Sequence, residues 1–263
     1  MPIYDKDNLM NTAKPRWLEL GDELLWPLVG MSLSTLAEAH KADPDAWSIV
    51  NAAQIHFAHC IETSMRCNEE GKHSVAISLL RQCIESLTLV DMGLQNHDFA
   101  FPLLMKWKEG KKSLGELRKH LDTEIWSKYG TGLWDESWSD FLTNLASAVQ
   151  PYAHYTQQLQ GWQYSVVGFD YEKQEGIYYT DISGAYDALK ASRITLFHEL
   201  AGWTLGRLLL ANGDNKNVLE RASKIEEWGK ALGKSKLLFK NKNWGNELLS
   251  DMFFKPGADW HDK

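Results

Sequence analysis

Cysteine is scarce in this chain and follows no pattern. The 263 residues include three, Cys60, Cys67 and Cys83, an odd number with no C-x-x-C spacing. This excludes a scaffold built on disulfides and suits a reducing, cytoplasmic setting. Basic charge is short as well. Twenty-eight Lys and Arg stand against 35 Asp and Glu, a net charge of −7, so no overall field draws the chain to nucleic acid or an anionic membrane. Long apolar runs are missing: MSLSTLAEAH and GWTLGRLLLANG are too short or too polar to cross a bilayer. The opening MPIYDKDNLM lacks the basic-then-apolar order of a secretory leader. There is no phosphate loop, dinucleotide fingerprint, H-E-x-x-H pair or serine elbow. Neither a cofactor nor a bound metal is expected. His56, His59 and Cys60 are close in sequence, but Cys60 falls on an apolar stripe and both histidines lean away from it, whereas a zinc site needs convergent ligands.

Apolar residues are plentiful, and their period is helical. They make up 44% of the chain, with twelve Trp among them, enough to bury a substantial core. Pro15 opens a first helix over 15–41, kinked or split at Pro27 and Gly30. Asp43 followed by Pro44 is a cap and first-turn pair that starts a second. From Trp47 onward, Val50, Ala53, Phe57, Cys60, Ile61 and Met65 recur at helical spacing, leaving His56, His59, Glu62 and Arg66 outside. After Gly71, the stripe Val75, Leu79, Cys83, Leu87, Val90 and Leu94 is joined by Ile77, Ile84, Leu89 and Met92, and a helix apolar on nearly all sides belongs in the middle of a bundle. Asp91 and His97 read as surface residues near helix ends. Further helices are expected at SLGELRKHLDTEIWSKY, DESWSDFLTNLASAV, 183–211 and 217–232. The segment GWQYSVVGFDYEKQEGIYYTD changes period, which suits either a small β-hairpin near 163–180 or an ordered aromatic loop. The expected fold is a single all-α domain over 1–263, a bundle of about seven or eight helices. Its core spans 44–211, with a C-terminal helix and docking tail over 214–263.

Two polar groupings carry whatever chemistry the sequence offers. Arg81 and Glu85 lie four apart on the central helix, as a solvent-exposed pair or a buried one facing another polar group. Arg193 and His198 flank the stripe Ile194, Phe197, Ala201, Leu205 and Leu208, roughly 140° apart around the helix with a rise of about 7.5 Å, so they converge only across a cleft, for instance between two subunits. The bland alternative is two separate flank positions on a packed helix. A second Arg-to-His spacing, Arg66 and His73, is split by Gly71. Gly202 and Gly206 form a small-x-x-x-small pattern that permits close helix packing.

The Arg193–His198 spacing on a late helix resembles that of the HEPN-fold ribonucleases, helical bundles that usually dimerise. The resemblance implies metal-independent RNA cleavage, with His198 as general base or acid and Arg193 stabilising phosphoryl charge. The chain departs from the pattern at Ile194, where a polar residue is common. A broader likeness, over about 45–210, rests on AISLLRQCIESLTL and PYAHYTQQL. These segments are similar to bacterial helical proteins related to the HEPN group, several of them tied to phage defence or toxin systems and many lacking the catalytic pair. It implies an interior polar group of Arg81, Glu85, Tyr152 and His154. The leading expectation is a cytoplasmic, homodimeric protein that acts through protein contacts, with no membrane partner. RNA enters only under the alternative of a HEPN-type endoribonuclease.

Overall fold

Helix α1, Arg16–Ala39, runs unbroken through Pro27. In the computed structural model, which describes residues 14–152, 154, 156–180, 186–212 and 215–235, Pro27 lies on the solvent face. The carbonyl it cannot serve, that of Glu23, is on the same wet face and takes water instead, so the expected kink or split does not arise. Helix α2, Pro44–Glu69, starts where Asp43 accepts from the N–H groups of Asp45 and Ala46 at 3.0 and 3.1 Å. Its inner residues Val50, Phe57 and Ile61 are fully buried. Trp47, the first member of the predicted stripe, stays 39% exposed.

Gly71, at φ 77°, turns the chain into α3, His73–Leu94. This helix is central, touching α1 and α2 as well as four elements that follow it: α4 (His97–Lys108), α5 (Leu114–Glu124), α6 (Trp138–Val149) and α7 (Gln157–Trp162). Few of its residues look outward, Val75 and Gln82 among them, and Val75, 47% exposed, is not part of the core stripe. Helix α4 passes Pro102 in the same way as α1 passes Pro27, with the deprived carbonyl on exposed Asp98. Ser113 and Glu116 close a capping box on α5, and Ser137 caps α6 through the Asp140 N–H. Pro151 ends α6 in a 3₁₀ turn, Gln150–Tyr152.

The change of period after residue 163 is a hairpin. Strand β1, Tyr164–Asp170, pairs antiparallel with β2, Glu175–Thr180, with Tyr164 opposite Thr180 and an irregularity at Val167. Helix α8, Ala188–Asn212, then packs on α1, α2, α3 and the C-terminal helix α10, Ala222–Gly233. The single last helix expected over 217–232 is two: a short turn α9, Lys216–Leu219, precedes α10. Eight helices of eleven residues or more among the described residues make an all-α bundle around a continuous apolar core. Gly202 and Gly206 of α8 serve close packing: a Cβ at Gly202 would lie 2.7 Å from Leu25 and 2.9 Å from Trp228. Among the described residues no helix is long and apolar enough to cross a membrane. All three cysteines are free thiols. The tail beyond 235 lies outside the described residues.

Candidate functional site

The predicted site residues are spread over three places. His198 is 1% exposed, and its Nε2 lies 2.7 Å from Ser64 Oγ on α2. Ser64 spends its one hydroxyl proton on the Ala76 carbonyl of α3, at 2.8 Å. It therefore accepts from His198, which fixes the imidazole as the neutral Nε2–H tautomer. Burial lowers the His198 pKa to about 3. Arg193 is 6% exposed and points elsewhere, within electrostatic reach of Tyr152. Within one chain the two do not share an open cleft. His198 ties α8 to α2 and α3, while Arg193 belongs to the junction with the 150–162 segment.

The four residues of the predicted interior group do not assemble. Arg81 donates to Glu85 Oε1 from Nε at 2.8 Å and from a terminal nitrogen at 2.6 Å, and also to the side-chain oxygen of Gln150 at the end of α6. The pair is part-buried, an intermediate between the two readings left open by the sequence. Tyr152 is buried edge-on against Trp162, with ring centroids 5.8 Å apart, and burial pushes its phenol up while Arg193 pulls the other way. His154 is exposed. In the aromatic segment, Trp162 is buried and Tyr171 is 85% exposed; the side chains of Tyr164, Phe169, Tyr178 and Tyr179 lie outside those described. No three His, Cys, Asp or Glu side chains among the described residues are grouped to hold a metal.

The densest polar site is one the sequence did not announce. Asp91, expected at the surface, is 2% exposed on the inner side of α3. Tyr129 donates its hydroxyl to Oδ1 at 2.6 Å, Trp126 its indole N–H to Oδ2 at 2.8 Å, and Gln95 an amide N–H to Oδ1 at 3.1 Å. Asn212, at the end of α8, donates to the Tyr129 oxygen at 2.6 Å and ties the network to the last turn of that helix. Burial raises the Asp91 pKa to about 6, and the three donors limit the rise. A cavity of about 20 Å³ adjoins it, bordered by Thr88, Arg118 and Thr204, with room for one water. One sequence signal was available: in LTLVDMGL an acid sits among apolar residues on a helix already apolar on all sides.

A third feature faces solvent. Helices α2, α3, α4 and α5 border a groove of about 300 Å³, lined among others by Ala52, His56, Gln82, Glu85, Trp107 and Leu114. Fold and sites together define a class, an all-helical bundle whose polar interior ties helices to one another. Comparison with protein-family models, curated proteins and solved structures returns no match.

Proposed function

We propose that this protein works through contacts with other proteins, as a homodimer or with a protein partner, and not through chemistry at Arg193 and His198. The setting proposed is that of the HEPN-related proteins it resembles, bacterial phage defence or toxin systems. One observation supports the contact reading: Trp47 and Ile55, both 39% exposed, stand two turns apart on the outer side of α2, whose other large apolar side chains turn inward. Exposed aromatic and branched apolar residues of this kind are what a partner buries at the centre of an interface. The alternative, a metal-independent ribonuclease, requires His198 to leave Ser64 and reach solvent as a proton acceptor.

Sedimentation velocity over a range of concentrations tests the first part. Self-association is expected in the parent and is expected to be lost in a Trp47→Glu, Ile55→Glu variant with an unchanged circular dichroism spectrum. A parent that stays monomeric and captures no partner through this face refutes it. Incubation with single-stranded RNA in the presence of chelator tests the second part, with no His198-dependent cleavage expected. Cleavage by the parent that His198→Ala abolishes overturns the reading in favour of the ribonuclease.

A further inference from the structure

We propose that the groove between α2, α3 and the α4–α5 arm is a binding site for a small, uncharged, flat ring bearing an amide-like hydrogen-bonding edge. The inference is independent of the protein-contact reading. The concavity exists because α2 and α3 present small side chains, Ala52, Ala53 and Ser86, where the arm passes over them. Trp107 near the end of α4 and Leu114 at the start of α5 stand off across about 300 Å³. That volume is at the lower end of the range for ligand sites, the size of a single ring system with its substituents. Trp107, partly buried, puts an aromatic side chain in the lining, the residue type that packs well against another ring.

Charge and hydrogen bonding narrow the ligand class. Glu85 borders the groove, but Arg81 holds it at 2.8 and 2.6 Å, so the groove meets a neutralised pair and not a free anion. A charged ligand would give up hydration without gaining an opposite charge. The polar edge is made by His56 and Gln82, whose Nε2 and Oε1 lie 3.2 Å apart. Gln82 is exposed and forms no bond through its amide nitrogen among the described residues, so its carboxamide still offers a donor beside an acceptor. A group that presents an acceptor and a donor side by side, as a carboxamide or a lactam does, matches that edge. An apolar ring on the same ligand packs against Trp107.

Benzamide, benzoate and toluene separate these features, because they share a ring and differ only in the edge. Titrated by ligand-observed NMR into the full-length protein, benzamide is expected to bind with a Kd on the order of 1 mM. Benzoate and toluene are each expected to bind at least about tenfold more weakly. Ala52→Trp, at an exposed position that fills the groove, is expected to abolish benzamide binding. Gln82→Met, also at an exposed position, is expected to equalise benzamide and toluene, and this variant decides the matter if Ala52→Trp does not fold. The proposal is overturned by no benzamide binding at about 10 mM, by benzamide binding that survives the filled groove, or by benzoate binding as tightly as benzamide. Loss of benzamide binding leaves the association tests on Trp47 and Ile55 untouched, so the two readings fail separately.

Discussion

Asp91 meets two N–H donors and one O–H donor inside the bundle, and the balance between burial and those donors sets its proton affinity. Burial wins, raising the pKa from 3.8 to about 6. A folded-state pKa above the unfolded one adds stability that is fully present below about pH 4 and is lost as pH rises through 6. A shift of that size corresponds to about 3 kcal/mol. Asp91→Asn removes the titration, so urea denaturation followed by tryptophan fluorescence should show the parent losing about 3 kcal/mol relative to the variant between pH 4 and 7. Parallel profiles for the two proteins would remove Asp91 as the cause. His198 acts in the opposite sense. Its pKa is lowered to about 3, so its contribution is complete above the unfolded value near 6.5 and is lost as pH falls toward 3. Neither behaviour was legible in the sequence. Two of the three donors to Asp91 stand 35 and 38 positions away and the partner of His198 134 positions away, and helical periodicity carries no record of such pairings.

At the scale of elements, the stripes of α2 and α3 were readable in large part because an apolar residue every third or fourth position must face one side of a helix. The cap of α2 was readable for an equally local reason, as Asp43 before Pro44 shows. The close packing at Gly202 was readable from its small-x-x-x-small spacing with Gly206, whereas the role of Gly30 was not, since it depends on what another helix brings to the spot. Gly30, with Pro27, was expected to kink or split α1, yet a Cβ there would meet nothing within 4 Å. Gly202 faces Leu25 and Trp228 with no space to spare. Opposite outcomes are therefore expected from substituting the two. Gly30→Ala should stabilise the protein by about 0.5–1 kcal/mol through helix propensity and reduced freedom of the unfolded chain. Gly202→Leu should cost about 1–3 kcal/mol or more, because α1 and α10 must move apart to admit the side chain. Thermal melts of both variants check the pair, and a stabilised Gly202→Leu would show that the α8–α10 contact is looser than described.

Across the whole molecule, stability is expected to be graded by how many layers of packing cover each helix. Helix α3 was recognisable as central because its apolar residues run around the full circumference. Helix α8 was not: its sequence suggests one buried stripe, yet Lys190, Ser192, Arg193, His198, Glu199 and Thr204 are buried as well. Each such polar group needs compensation, as Lys190 gets from the Trp162 carbonyl at 2.9 Å and His198 from Ser64 at 2.7 Å. Glu199 is compensated only in part: burial and the neighbouring Asp22 push its carboxyl well above the ordinary range, against the pull of the Trp228 indole. Helices that carry the core and its polar ties open only with the whole fold, whereas elements with few such contacts open on their own. Hydrogen–deuterium exchange read by mass spectrometry should therefore find the slowest amides in 80–92 of α3 and 194–209 of α8. The β1–β2 hairpin, two strands without a third, should exchange fastest among the elements. Protection of the hairpin equal to that of α8 would mean that it is integral to the core, and the bundle would have to be redrawn with the hairpin as one of its packed layers.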